Sequence, residues 1–175
     1  MIELVVIDPG HGGDDNGAVW GYSEEDDINL SICYLLRCEL EKECFQVAMT
    51  REHDKRVSLK SRVDMANDIR AELYLSIHCD AFHNTSVSGI SSHVYTDPST
   101  ESLDYANRIQ ESMVVDFPNS KNRGIKRSNF YVLRYTNMPS VLIECEFLSN
   151  TKTRKLLKEP ENQLRISKAI SAAIK

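Results

Sequence analysis

The sequence predicts a single domain over residues 1–175 with an α/β fold, a three-layer sandwich in which helices flank a mixed, mostly parallel sheet. Apolar runs typical of strands alternate with helical patterns along the whole chain. No linker, repeat or low-complexity segment divides it. A chain of 175 residues is also long enough to bury one substantial core.

Three predicted strands are each followed by a side chain that can bind a metal or carry a proton. Residues 73–77 are followed by His78, and residues 141–143 by Glu144. Residues 2–7 are followed by the segment Asp8-Pro9-Gly10-His11-Gly12-Gly13, which contains His11. The proline and glycines of the first of these segments predict a tight loop. If the three strands are parallel neighbours, His11, His78 and Glu144 meet at one sheet edge, where α/β folds collect ligands. Two imidazoles with carboxylates are typical of a catalytic zinc site, in which three protein ligands leave a position for water.

The remaining elements follow from apolar spacing and from the residues that begin or end helices. Residues 28, 32, 35, 36 and 40 form the apolar stripe of a first helix, and Pro160 separates two closing helices. The predicted set is helices at 27–42, 57–69, 100–116, 151–158 and 161–174, strands at 44–49, 89–96 and 130–133, and a polar loop at 118–127.

Charge and composition narrow the possible partners. A net charge of −5 argues against a nucleic-acid partner. No apolar run approaches the roughly 18–20 residues that span a bilayer, so we expect no membrane insertion, and the N-terminus shows no signal peptide. The five cysteines form no CxxC pair and indicate free, mostly buried thiols made in a reducing compartment. Cys79 and Cys145 follow His78 and Glu144, so strand alternation points their sulfurs away from the expected site.

A zinc ion would need a third ligand, and residue chemistry alone leaves the choice open. The carboxylates that qualify are Asp14, Asp15, Glu24, Glu25, Asp26, Asp27, Asp80 and Glu144. A carboxylate at a helix N-terminus would be well held, which favours the cluster at 24–27. These acids also suit the positive end of the helix dipole without any metal.

A chain of segments in order resembles the zinc-dependent N-acetylmuramoyl-L-alanine amidases of the Amidase_3 family, which includes bacterial cell-wall amidases and phage endolysins. The segments are VVIDPGHGG (5–13), EDDINL (25–30), VAMTR (47–51), VSLKSRVDMAN (57–67), LYLSIHCDAF (73–82), RGIKRSNFYVLRYTNMPSVLIECEFLSN (123–150) and LRISKAISAAI (164–174). They span nearly the whole chain. Each segment is weak evidence alone, but the combination is specific.

The resemblance implies that His11, Glu25 and His78 bind Zn²⁺ and that Glu144 is the catalytic carboxylate. The implied substrate is peptidoglycan, cut at the amide between N-acetylmuramic acid and L-alanine of the stem peptide. In the implied mechanism zinc activates a water, and Glu144 takes its proton and returns it to the leaving amine. We expect a monomer, either a phage endolysin made in the cytoplasm and released to the wall, or a fragment of an exported autolysin.

Two other functions are alternatives for the same residues. A zinc peptidase that cuts within the stem peptide has the same site chemistry, and only the resemblance separates it from an amidase. An inactive peptidoglycan-binding module would be expected to lose one of His11, Glu25, His78 and Glu144, yet all four are present.

The sequence also predicts where several other polar side chains lie and what they contact. The family pattern has a small residue where this chain has Glu146. On a continuing strand Glu146 would share a face with Glu144, and the like charges would raise the pKa of the pair. If the strand ends at Cys145, Glu146 is instead expected to face solvent. Asn29 and Asp80 are expected to orient zinc ligands. Arg123 or Lys126 in the basic segment 121–127 are candidates to meet carboxylates of the stem peptide. His53, His83 and His93 are expected on the surface or in loops.

Overall fold

A computed structural model describes residues 3–175, so Ile2 of the first predicted strand lies outside the described residues. The strands are β1 (Leu4–Pro9), β2 (Val19–Trp20), β3 (Ser23–Glu24), β4 (Gln46–Met49), β5 (Leu73–Asp80), β6 (Ile90–Val94), β7 (Asn122–Arg127) and β8 (Ser140–Phe147). The helices are α1 (Glu25–Lys42), α2 (Leu59–Asp68), α3 (Thr100–Asp116), α4 (Tyr131–Tyr135), α5 (Thr151–Lys158) and α6 (Pro160–Ala173).

Six of the strands form one sheet in the order β4-β1-β5-β8-β6-β7, and β2 and β3 form a small hairpin. The pairs β4–β1, β1–β5 and β5–β8 are parallel, whereas β6 runs antiparallel to β8. The predicted mixed, mostly parallel sheet is therefore confirmed. Since β1, β5 and β8 are parallel neighbours, their carboxyl ends lie side by side.

The sheet is covered on both faces, as alternating strand side chains require. On one face Leu73, Leu75 and Ile77 of β5 belong to a large core that includes residues of α1, α3 and α6. On the other face Tyr74 belongs to a smaller core with residues of α2 and α4. Among residues 3–175, no helix is long and apolar enough to cross a membrane.

Two predicted segments differ from the structure. The expected polar loop at 118–127 contains β7, which lies at the sheet edge and, among the described strands, pairs only with β6. Its charged side chains fit a strand that is exposed on one side, a common way to protect an edge from further pairing. The expected strand at 130–133 is instead α4, because a run of a few apolar residues does not distinguish a strand from a short helix.

The cysteines follow the prediction in part. All five are free; Cys33, Cys79 and Cys145 are buried, while Cys38 and Cys44 are exposed. Cys79 and Cys145 lie in the larger core, on the sheet face opposite to that of Tyr74.

Candidate metal centre

The loop after β1 presents His11 at the edge of the sheet. Gly10 donates its backbone N–H to the Ile77 carbonyl at 3.0 Å, which fixes the loop against β5. A side chain at Gly10 would collide with the His78 imidazole, so only glycine lets the loop and the second histidine pack together. His11 itself has a φ of +62°, a left-handed backbone that is unusual for a residue with a side chain.

Glu25 joins the two histidines from the first turn of α1. Its Oε2 lies 3.3 Å from His11 Nε2 and its Oε1 lies 2.9 Å from His78 Nδ1. One ligand atom from each of the three residues lies within 4.8 Å of the others. Of the carboxylates that the sequence left open, Glu25 is the one in this group, and the group fits the ligand set that the resemblance implies.

The donor set fits a metal ion. Zinc bonds of about 2.0–2.1 Å in a tetrahedron place neighbouring ligand atoms roughly 3.3–3.5 Å apart, close to the spacing between His11 and Glu25. The second ring nitrogen of His11, Nδ1, lies 2.9 Å from Asp15 Oδ1, and Asn29 donates to Glu25 Oε1 at 3.2 Å. Partners of this kind orient the ligands of a metal site.

Without a metal, protons hold the three side chains together. Burial alone would lower the pKa of His11, but the hydrogen bonds and charges of Glu25 and Asp15 raise it to about 9. The pKa of His78 is also raised, because the hydrogen bond and charge of Glu25 outweigh its burial. Burial alone would raise the pKa of Glu25, but both histidines lower it well below its ordinary value. A metal cation would replace these protons.

Glu144 lies beside the three donors, paired in register with His78 across β5 and β8. Burial, with smaller contributions from the charges of Glu25 and Asp80, raises the pKa of Glu144 from its ordinary 4.5 to about 7. Among the described residues its Oε2 is buried without a hydrogen-bond partner. A carboxyl group that takes up and releases a proton near neutral pH is suited to general base catalysis.

An open cleft of about 490 Å³ contains the site. His11, His78 and Glu144 line it together with Gly10 and Asp15. Its walls include apolar side chains of α2, α4 and the segments before them: Val57, Leu59, Phe130, Tyr131 and Val132. The cleft therefore offers an apolar surface beside a polar reactive centre.

Glu146 faces neither the site nor solvent, so both predicted placements are wrong. It is fully buried, and its Oε2 accepts backbone N–H groups of Gly89 at 2.6 Å and Phe147 at 3.1 Å. The register places one extra residue of β8 between Glu144 and Phe147, and such a bulge breaks the alternation that would have aligned Glu146 with Glu144.

Of the other predicted placements, some are confirmed and others are wrong. Asn29 contacts Glu25 as predicted, whereas Asp80 accepts from the backbone N–H of Ala81. His93 is buried in β6, contrary to the prediction, and burial lowers its pKa to about 4. His53 and His83 are exposed as expected.

The sequence indicated Asp15 only as a possible ligand and did not predict its contact with His11. It also did not predict two buried arginines, Arg51 and Arg62, beneath the His11 loop. A charged residue in an otherwise apolar or looped segment gives no sign of burial, because its partners come from distant parts of the chain.

A sheet-edge cleft with two imidazoles and two carboxylates is typical of hydrolases that use a metal ion to activate water. The family model described as N-acetylmuramoyl-L-alanine amidase matches residues 5–175. The chain belongs to this family, Amidase_3.

Similar proteins agree with this assignment. N-acetylmuramoyl-L-alanine amidase LytC of Bacillus subtilis is 33% identical over 171 residues, which cover 96% of this chain and 34% of LytC. The probable cell wall amidase LytH of Staphylococcus aureus is 35% identical over 177 residues, covering 99% of this chain and 57% of LytH. The chain thus spans less than two thirds of either relative. The crystal structure of the amidase from Clostridium difficile 630 superposes with a TM-score of 0.94 at 33% identity, covering 99% of this chain and 95% of that one.

Proposed function

We propose that residues 1–175 form one catalytic domain of a zinc-dependent N-acetylmuramoyl-L-alanine amidase. The reaction is hydrolysis of the amide between N-acetylmuramic acid and L-alanine of the peptidoglycan stem peptide. The observation that carries the proposal is the donor set of His11, Glu25 and His78, whose two histidines line one open cleft together with Glu144. The family assignment supports this amide as the bond that is cut.

His11, Glu25 and His78 would hold the zinc ion. When bound, zinc supplies a Lewis acid that polarises the substrate carbonyl and makes water more acidic. Asp15 would keep His11 Nδ1 engaged so that Nε2 faces the metal, and Asn29 would fix Glu25 in the same way.

Glu144 would carry the proton. As a carboxylate it accepts a proton from the attacking water, whose oxygen adds to the lactyl carbonyl carbon. When the carbon–nitrogen bond breaks, Glu144 gives that proton to the amine of L-alanine. Its buried Oε2 has no hydrogen-bond partner among residues 3–175, so no described protein group competes with the reaction for that oxygen.

Lys126 is the stronger of the two candidates for contact with stem-peptide carboxylates. Arg123 is already engaged, since it donates to the Ser88 carbonyl and lies over the Phe147 ring. The charge of Lys126 lowers the pKa of Glu144, which supports Lys126 as the candidate. We further propose that the enzyme acts as a monomer on the bacterial cell wall, as an endolysin or an autolysin; relatives named as cell-wall amidases support the location.

The test is mass spectrometry of purified peptidoglycan digested by the protein with zinc, after chelation, and with Glu144→Gln. Stem peptides that begin at L-alanine, absent from both controls, are the expected product. Cleavage inside the stem peptide would instead establish the peptidase alternative. Binding to the wall without any product would establish the binding module, and either result would contradict the proposal.

A further inference from the structure

Two arginines lie buried beneath the His11 loop and take no part in the proposed reaction. Arg51, just after β4, is 1% exposed, and Arg62 in α2 is 3% exposed. A buried guanidinium is costly unless acceptors satisfy its donors. The acceptors that these two arginines have found therefore indicate what they do.

Their acceptors include three successive backbone carbonyls of the loop, beside the carbonyls of His53 for Arg51 and Val57 for Arg62. Arg62 donates to the carbonyls of Pro9 and His11, each at 2.6 Å. Arg51 donates to those of Pro9 at 3.1 Å and Gly10 at 2.9 Å. Every carbonyl from Pro9 to His11 is thus held by a guanidinium, including that of His11 in its left-handed conformation.

Arg51 also reaches the helix that carries Glu25. The same Nη2 atom that donates to the Gly10 carbonyl donates to the Asp26 carbonyl at 2.7 Å. Gly10 precedes His11, and Asp26 follows Glu25. One nitrogen atom therefore bridges the two segments whose side chains form the donor set.

The contacts of Arg51 are not those of an ion pair. Arg62 pairs with Asp8 Oδ1 at 2.7 Å, but no carboxylate in residues 3–175 lies within salt-bridge distance of Arg51. A buried charge without a counter-ion reduces stability. What favours arginine at this position is its planar fork of donors, which can hold several carbonyls at fixed angles in a way that lysine cannot.

We propose that Arg51 is a positioning residue that sets the separation of His11 from Glu25 before the metal binds. Arg62 holds the His11 end of the same arrangement. The inference rests on the proposed metal site and adds the element that builds it in advance. Loss of partners that orient ligands typically reduces metal affinity about 10–100-fold, which is the effect expected here.

The experiment compares the metal-free chain with Arg51→Lys and Arg51→Gln. Lysine keeps the charge but loses the fork, and glutamine removes the uncompensated charge, so at least the glutamine variant is expected to fold. Arg154→Lys is the matched control, because Arg154 donates to a backbone carbonyl of another loop, that of Leu148, at 3.0 Å. Circular dichroism and urea unfolding establish that each variant is folded.

Zinc affinity is measured by competition with a chromophoric chelator, and the ligand geometry by the visible absorption of bound Co²⁺. We expect both Arg51 variants to lose about 10–100-fold in affinity with an altered cobalt spectrum, while Arg154→Lys keeps both. Folded Arg51 variants with wild-type affinity and spectrum would overturn the inference. Absence of zinc binding by the wild-type chain would instead overturn the proposed metal site.

Discussion

Glu144 combines two properties that a catalytic base needs, a position beside the donor set and a pKa near neutrality. Its pKa of about 7 belongs to the metal-free protein, and a dication nearby would lower it by favouring the carboxylate. The carboxylate that can accept a proton from water is therefore the dominant form above neutral pH, and the acid limb of the pH–rate profile is expected below pH 7.

Replacing Glu144 with glutamine should separate catalysis from metal binding. The amide has the same shape but cannot accept the proton, so we expect kcat to fall about 10²–10⁴-fold while zinc affinity stays within a few-fold of wild type. Release of stem peptides and competition with a chelator measure the two quantities. Near-normal kcat in this variant would remove Glu144 from its role.

Zinc binding should release protons. At pH 7 His11 is protonated in the metal-free protein because its pKa is about 9, and the pKa of His78 is raised as well. Both rings must be neutral to bind a metal, so we expect about one to two protons to leave per zinc ion. Titration calorimetry in buffers of different ionisation enthalpy counts them. The count should fall as the pH approaches 10, and binding at pH 7 without release would show that the histidines are not ligands.

At this scale the sequence predicted His11, His78 and Glu144 from the strand ends alone. It could not choose Glu25, because its neighbours at 24–27 share the same chemistry and only the orientation of α1 separates them. Asp26, one residue away, is also buried, but its carboxylate is not among the three donors. Family resemblance supplied the choice that residue chemistry lacked.

Among the elements, the segment between β1 and α1 leaves little space around the donor set. Gly17 and Gly21 both have a φ of +66°. A Cβ at Gly17 would lie 2.6 Å from both Glu25 Oε2 and His11 Cδ2, whereas a Cβ at Gly21 would meet nothing within 4 Å. The two glycines differ in space and not in backbone strain.

Gly17→Ala should therefore reduce zinc affinity at least about tenfold, since Glu25 and His11 must move apart. Gly21→Ala is the matched control. It should share the loss of about 1–2 kcal/mol in stability that comes from the left-handed backbone, but keep its zinc affinity. Equal zinc affinities in the two variants would show that the donor set tolerates the displacement.

The bulge in β8 determines the role of Glu146. Because Glu146 holds the Gly89 backbone and is turned away from Glu144, Glu146→Gln should leave the acid limb of the pH–rate profile unchanged. The profile of stem-peptide release over pH 5–9 measures this. An acid limb that moves to lower pH would restore the electrostatic link that the sequence suggested.

Errors at the scale of elements have local causes. The sequence gives no sign of the bulge in β8. Regular alternation of side chains along the strand predicts that Glu146 shares a face with Glu144, and the bulge breaks that alternation. The short segment at 130–133 has no periodicity to separate strand from helix, and β7 is too charged to be predicted as a strand. Long elements with capping residues, such as α3 with Ser99, were predicted with the correct bounds.

For the whole molecule, the order of strands mattered most and could only be assumed. Residues of β1, β5 and β8 are separated by more than sixty positions in the chain, as in the pairs Pro9–Ile77 and His78–Glu144. Alternation of strands and helices predicts parallel pairing but not which strands are neighbours. The sequence therefore predicts that His11, His78 and Glu144 lie close together only on the assumption that their strands are parallel neighbours.

The charges of the site should also appear in the stability of the whole metal-free protein. A carboxyl group with a pKa raised on folding is most favourable when neutral, so its contribution is present below the unfolded value, near 4.5, and is lost as the pH rises through 7. Glu144 therefore makes the metal-free fold less stable at pH 8 than at pH 5. Glu144→Gln, which stays neutral, should avoid this loss.

We expect Glu144→Gln to raise the free energy of unfolding by about 2 kcal/mol at pH 8, after allowance for solvent in the cleft, and by clearly less at pH 5. Urea unfolding of metal-free protein at the two pH values measures it, with Glu161→Gln on the exposed side of α6 as control. Bound zinc should reduce this increase in the free energy of unfolding, because a nearby dication stabilises the carboxylate of Glu144. An equal gain at both pH values would show that packing, not charge, sets the effect. A larger gain at pH 8 than at pH 5 would instead mean that the ionised, buried carboxylate of Glu144 lowers the stability of the metal-free protein.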